Sequence, residues 1–154
     1  RLGRLEPPPQ GRLPILVGGS GEQVTLRIVA EYADAWNTFG PPALFRHKLT
    51  VLTEHCAAVG RNIDEIEVSW AGAAAVTDSK ETREALVNGM ARAFGRPAEE
   101  VEPGLLVGSA GEVRERIEQF IEAGVTHFIM IANAPFNRDS LRRFAEEVMP
   151  AFRR

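Results

Sequence analysis

Apolar residues along this chain come in short runs separated by longer amphipathic stretches. Ile15, Leu16 and Val17 form a run suited to a strand buried on both faces, and Gly18, Gly19 and Gly21 follow it at once. Ser20-Gly-Glu-Gln23 fits a capping box, which predicts a helix over about residues 21–32. Residues 34–39, Asp-Ala-Trp-Asn-Thr-Phe, read as a second short strand ending at Gly40-Pro41-Pro42. Phe45, Leu49, Leu52 and Cys56 then recur on one helical face, with Gly60 placed for a left-handed cap. Ile66, Val68 and Trp70 alternate ahead of Ala71-Gly-Ala-Ala-Ala-Val76, which predicts a third strand. Asp78-Ser-Lys-Glu81 opens a third helix that runs to about Phe94, and residues 95–103 read as a polar connection. Leu105, Leu106 and Val107 make a short extended insert before Ser109-Ala-Gly-Glu112, a second capping box. The helix it opens carries Val113, Ile117, Phe120 and Ile121 on its apolar face and closes at Gly124. Residues 126–132 form a fourth strand, and a last helix over about residues 138–152 buries Leu141, Phe144, Ala145, Val148 and Phe152.

Strands that alternate with helices and are themselves almost wholly apolar indicate a parallel sheet with right-handed crossovers. With 154 residues the chain holds one ordinary core but falls short of the ~250 of a complete eight-stranded α/β barrel. Four strand-helix units make either half of such a barrel or a small open sheet, and the pattern does not choose between them. In both, ligands bind at the carboxyl ends of the strands. That rim would hold residues 18–21, residues 37–40, the small residues after Trp70, and residues 133–137.

Charge and composition narrow the partners. A net charge of -3 and a pI near 5.7 argue against a nucleic-acid surface, although all 18 basic residues except Lys48 and Lys80 are arginine. No apolar run approaches the ~20 residues of a membrane span. A single cysteine, Cys56, excludes an internal disulfide framework and fits a reducing compartment, so a cytoplasmic location is expected. The Pro-rich residues 1–13 read as an extended linker arriving from an upstream segment, ahead of a domain over residues 14–154.

The chemistry centres on the glycine turn. Two readings stand: a phosphate or pyrophosphate cradle at a helix N-terminus, or an ordinary tight strand-to-helix connection. Asn37 and Thr38 could line a ligand or bond to their own backbone. Trp36 and Trp70 could stack on a ring system, but core positions are the commoner fate of such residues. Arg27 is either a phosphate partner or, in the favoured reading, a solvated charge. His47, His55 and Cys56 lack the carboxylate that would complete a metal set, and helical surface positions explain them more simply. His127 reads as a hydrogen-bonded core histidine. No pair of carboxylates suited to acid/base work is visible, and Ser20 lacks the elbow and histidine of a hydrolase nucleophile. No catalytic residue and no metal ligand is therefore nominated.

Several stretches in order resemble one family. Pro14-Ile-Leu-Val-Gly-Gly-Ser-Gly-Glu22 followed by Thr25-Leu-Arg-Ile-Val-Ala-Glu-Tyr-Ala-Asp-Ala-Trp-Asn37 is similar to the middle signature of the luciferase-like monooxygenase superfamily, most closely its actinobacterial deazaflavin-dependent branch. His47-Lys-Leu-Thr-Val-Leu-Thr-Glu-His-Cys56, Gly60-Arg-Asn-Ile-Asp-Glu-Ile-Glu-Val-Ser69, Gly108-Ser-Ala-Gly-Glu-Val113 and Ala123-Gly-Val-Thr-His-Phe128 extend the likeness from Pro7 onward. The resemblance implies a (β/α)8 TIM-type barrel of which this chain supplies about strands five to eight. It implies coenzyme F420, with FMN as the alternative. The cofactor phosphate would lie on Gly18, Gly19, Ser20 and Gly21, with Asn37, Thr38 and Phe39 completing the pocket. The residues that handle substrate and hydride transfer would come mainly from the first four strands.

The resemblance thus implies an oxidoreductase passing a hydride between reduced F420 and a small-molecule substrate, or an FMN-dependent monooxygenase, with this piece inactive alone. Its partners would be the N-terminal half-barrel and further copies in a homo-oligomer, without nucleic acid or membrane. The competing expectation is a half-barrel that has lost catalysis and serves as a binding or oligomeric scaffold, since half a barrel leaves two strand edges and an apolar face open.

Overall fold

A computed structural model describes residues 7–8, 10–131 and 136–153. The element order is β1 (Leu16–Gly18), α1 (Thr25–Tyr32), β2 (Ala35–Thr38), α2 (Pro42–Ala58), β3 (Glu67–Val76), α3 (Lys80–Phe94), α4 (Ala98–Val101), β4 (Leu106–Gly108), α5 (Ala110–Glu122), β5 (His127–Ile131) and α6 (Arg138–Arg143). All five strands are parallel. β2 separates β1 from β3, β5 pairs with β3, and β4 joins β3 over Ala74, Ala75 and Val76. Thus the extended insert around Leu106 is a fifth strand. It takes up the long β3 past the point where β2 ends.

Which face the helices cover decides between barrel and open sheet. Alternation along the strands sends Val17, Trp36, Val68, Trp70 and Phe128 to one side. There they form a single core with Leu26 and Val29 of α1, Phe45 and Leu52 of α2, and Val113, Ile117 and Phe120 of α5. The opposite side carries Leu16, Ile129 and Ile131, all exposed, with Leu16 at 51%. A doubly wound sheet would cover both faces, whereas a barrel wall covers only its outside. On the other side α3 and α4 pack only beside Ala73 and Ala75, at the far end of β3, and over the rest of the sheet the covering is one-sided, that of a half-barrel with its inner face and its β1 and β5 edges open.

Aromatic rings tie the outer layers together. Trp36 meets Phe45 at 5.7 Å between centroids, Phe45 meets Phe120 at 5.7 Å, and Trp70 meets Phe120 at 5.5 Å and Phe128 at 5.9 Å. Both indoles are fully buried, and each N–H finds a carbonyl: Trp36 donates to Gly19 at 2.7 Å and Trp70 to Gly104 at 3.1 Å. They are core residues, placed by packing on the helix side.

Several local expectations meet a different outcome. Residues 95–103 are not a plain connection, because α4 and a 3-10 turn, Glu102–Gly104, build a second small core there from Val87, Ala91, Val101, Leu105 and Val107. Ile121 is exposed, since Phe120 already fills the buried face of α5. The last helix is regular only through Arg143, becomes π-helical over Phe144–Val148 and ends as a 3-10 turn, Met149–Phe152. Pro150 has no N–H for the Glu146 carbonyl and its ring crowds that carbonyl, so the regular ladder cannot pass through it. Leu141 and Ala145, expected to be buried, are exposed, while Val148 is fully buried. His127 is hydrogen-bonded to Glu67 at 2.8 Å but is not in the core: β5 is an edge strand and the pair lies on the open face. Residues 132–135, which include part of the fourth rim segment, and residues 1–6 and 9 of the Pro-rich start lie outside the described residues. No described helix is long and apolar enough to cross a membrane.

The capping box that opens α5 forms as its sequence predicts. Ser109 Oγ accepts from the Glu112 N–H, while Glu112 accepts from the Ser109 N–H at 2.8 Å. The Ser109 hydroxyl and N–H, joined by Arg83, hold the Glu112 carboxyl down to about 2. A carboxyl depressed by folding stabilises above its unfolded value of ~4.5 and loses that contribution as pH falls toward 2. Melting temperatures of wild type and Glu112→Gln measured from pH 7 to pH 2 should therefore differ most above pH ~5 and converge at the acid end. A gap that persists unchanged to pH 2 would show that the carboxylate charge is not what matters.

Candidate functional site

The carboxyl end of β1 leads into a loop that glycine alone can build. Gly19 sits at φ +124, its N–H donates to Asn37 O at 2.9 Å and its carbonyl receives the Trp36 indole, so the peptide is pinned to β2 from both sides. A Cβ at Gly19 would lie 3.3 Å from Thr25 Cγ2, and one at Gly21 3.0 Å from Thr25 Oγ1. The loop thus folds tightly over Thr25, the first residue of α1.

The expected Ser20 capping box is absent. α1 begins four residues later, at Thr25, with Val24 before it and no side-chain cap. The reason lies in α2, which captures the residue that should have entered the helix. Glu22 Oε1 accepts from Lys48 Nζ at 2.6 Å and contacts His47 Nε2 at 2.8 Å, while His55 Nε2 bonds to the Glu22 carbonyl at 2.9 Å. Lys48, then His47, hold the Glu22 carboxyl below the usual range. Residues 22–24 are drawn into a turn, and Leu26 N–H reaches back five residues to Gly21 O at 3.0 Å. The two histidines are therefore fasteners of the glycine loop rather than members of a metal set.

This leaves a group of free donors. Among the described residues the amides of Ser20 and Gly21 and the hydroxyl of Thr25 have no partner, and all three border the glycine turn at the start of α1. Thr25 is the residue that sequence reasoning missed. The glycines at positions 19 and 21 signal that something packs against them, but nothing in the sequence says that it is Thr25. Gly19 N–H, by contrast, is already spent on Asn37. Arg27 pairs loosely with Glu31 at 3.8 Å on the solvent side of α1, the solvated role favoured for it.

The neighbouring rim is brought to the loop by strand register, Gly18 standing opposite Asn37. Asn37 faces the open side, where its amide donates to Ser69 Oγ at 2.9 Å and to Ser69 O at 3.2 Å. Its Oδ1 has no partner among the described residues and is available as an acceptor. Thr38 turns the other way and is buried beside Trp36, so its side chain does not share the open face. Phe39 is 45% exposed and packs its ring 5.9 Å from Phe94. At the end of β5, Asn137 serves as the cap of α6, accepting from Ser140 N–H at 3.0 Å. Asp34, below the rim, anchors β1 instead: its carboxylate accepts from Ile15 N–H at 2.7 Å and pairs with Arg12, which together hold it below the ordinary range.

Chemically, two free amides and a hydroxyl at a helix start favour an anion, and a polar acceptor and an exposed ring beside them favour a planar group with donor edges. Solved structures share the architecture. The coenzyme F420-dependent tetrahydromethanopterin reductase of Methanopyrus kandleri is 17% identical, with a TM-score of 0.71 over 92% of this chain and 51% of that one. An F420-dependent secondary alcohol dehydrogenase in complex with an F420-acetone adduct is 19% identical, with a TM-score of 0.76 over 95% of this chain and 51% of that one. EDTA monooxygenase from Chelativorans sp. BNC1 is 16% identical, with a TM-score of 0.65 over 94% and 45%. The chain thus spans about half the length of the solved structures it matches, and at these identities the likeness establishes the fold: one half of a luciferase-like (β/α)8 barrel. No curated protein matches its sequence. The profile described as luciferase-like monooxygenase matches residues 2–101, well over half the chain. The chain belongs to the luciferase-like monooxygenase family.

Proposed function

We propose that this chain is the cofactor-holding C-terminal half of an F420-dependent oxidoreductase. The observation that carries the reading is the set of unpaired donors, Ser20 N–H, Gly21 N–H and Thr25 Oγ1, around a turn in which a Cβ at Gly19 or Gly21 would press on Thr25. A phosphate fits such a cradle, and the N-terminus of α1 adds a favourable dipole. Gly18, Gly19, Ser20 and Gly21 form the cradle, and Asn37, Thr38 and Phe39 form the adjoining rim, Thr38 contributing its backbone and the other two their side chains. When bound, F420 supplies hydride transfer to or from an organic substrate. This chain's own residues would bind and orient: the loop would hold the phosphate end, Asn37 Oδ1 would be free to accept from a ring N–H, and Phe39 would shield one side from water. The open inner face and the β1 and β5 edges receive the N-terminal half-barrel, which carries most of the substrate-handling residues, and residues 1–13 form the link to it. This half alone does not turn over.

FMN is the second candidate, favoured by the monooxygenases among the structural neighbours, one of which is a Baeyer-Villiger enzyme in complex with FMN. Titration with F420, FMN and riboflavin, followed by the Gly18, Gly19 and Gly21 amide signals in 1H–15N spectra, separates the cases. Saturable F420 shifts at these glycines with weak FMN binding are expected. Stronger FMN than F420 binding would transfer the assignment to a flavin monooxygenase. Equal affinity for FMN and riboflavin would remove the phosphate cradle altogether.

A further inference from the structure

Past the end of β2 the main chain turns through Gly40 into α2, and the segment carrying α3 and α4 folds over that turn. Three glycines make the contact close. A Cβ at Gly104 would lie 3.0 Å from the Gly40 carbonyl carbon, and one at Gly72 would lie 2.3 Å from Cζ2 of Trp70. The Trp70 indole is itself held by the Gly104 carbonyl at 3.1 Å. A concavity therefore opens here with a floor of fixed backbone and walls of Phe39, Met90, Phe94 and Leu105, enclosing about 150 Å3. Cavities of roughly this size accept a molecule such as benzene. The charged residues at its lip, Arg96 and Glu100, satisfy each other at 2.8 Å, so the pocket offers no free charge to an occupant. Phe39 and Phe94 remain 45% and 41% exposed at its mouth, two large rings open to an occupant.

We propose that this pocket binds an uncharged apolar group of about six carbons, a ring or branched chain, belonging to the organic substrate. The inference rests on the oxidoreductase reading above for the word substrate, because Phe39 is shared between the pocket and the cofactor rim and a group bound here lies beside that rim. Its size excludes more than one side chain of a protein partner, and its preformed glycine floor suits a small molecule. The class of compound implied is one with a hydrophobic end remote from charge, rather than a sugar phosphate or a polyacid.

The three methionines provide the test, since only Met90 lines the pocket, while Met130 lies on β5 and Met149 near the carboxyl end. With 13C-methyl-labelled methionine, cyclohexanone should shift Met90 saturably, with a Kd on the order of 1 mM, and leave Met130 and Met149 in place. Phe94→Ser, at an exposed site at the end of α3, should weaken this binding roughly tenfold with the fold intact by circular dichroism. Arg96→Ala should leave it unchanged. Unsaturable shifts of all three methyls, or unaltered affinity in Phe94→Ser, would overturn the pocket. FMN and F420 titrations read at the glycine amides are independent: glycines that respond while Met90 stays silent sink only the pocket, and the reverse sinks only the cofactor reading.

Discussion

Replacing Phe120 with alanine is expected to lower the unfolding free energy by about 3–5 kcal/mol, the range for deleting a large aromatic ring from a closed core. Phe120 is fully buried at the point where the helix layer meets the sheet. Its ring touches Phe45 of α2 edge-on at 5.7 Å, Trp70 of β3 at 5.5 Å and Phe128 of β5 at 6.2 Å. These three partners come from separate elements, and two of them are held from behind: Trp70 by the Gly104 carbonyl and Phe45 by Trp36. Collapse into the space left behind would have to move β3, so most of the cavity should persist and its cost with it. Ile121→Ala is the matched control, one position along the same helix but 47% exposed, and should change stability by less than about 1 kcal/mol. Urea denaturation of the three proteins measures both. A Phe120→Ala loss no larger than that of Ile121→Ala would mean that α5 does not pack on the sheet as described.

What could be read in advance from the sequence, and what could not, follows the range of the interaction concerned. The Ser109 capping box formed because all its groups lie within four residues and nothing distant competes for Glu112 except Arg83, which reinforces it. The Ser20 box, equally well formed on paper, failed because Lys48, His47 and His55, more than twenty residues away, claim Glu22. The strand runs were legible from their apolar character. That Leu106–Gly108 pairs with β3 was not, because three residues carry no period and their partner is set by the fold of α3 and α4. Choosing half-barrel over open sheet needed the knowledge that α1, α2 and α5 share one face, a tertiary fact invisible to periodicity, although the family resemblance supplied it. Within the candidate site the glycines were legible. Thr25 was not, since its importance comes from the space that the glycines vacate.

Replacing Gly19 with valine is expected to weaken F420 or FMN binding by roughly 10- to 100-fold, or about 1.4–2.8 kcal/mol, while riboflavin, which has no phosphate, is affected much less. Two effects add. At φ +124 a β-branched residue is strained, and its Cβ would stand 3.3 Å from Thr25 Cγ2 before its own methyls are counted. Relief requires either Thr25 to swing away, which removes the hydroxyl from the cradle, or the 18–21 loop to lift, which breaks the Trp36 indole bond to the Gly19 carbonyl. In either case the free donors of the proposed cradle would be pulled apart, and a phosphate site needs its donors held together around one turn. The strain itself costs on the order of 1–3 kcal/mol of stability, so binding must be measured well below the melting temperature. The methyl signals of α5 serve as the sign that the core is intact. Unchanged F420 and FMN affinity in a folded Gly19→Val protein would remove the cradle reading, because a side chain at Gly19 presses directly on Thr25.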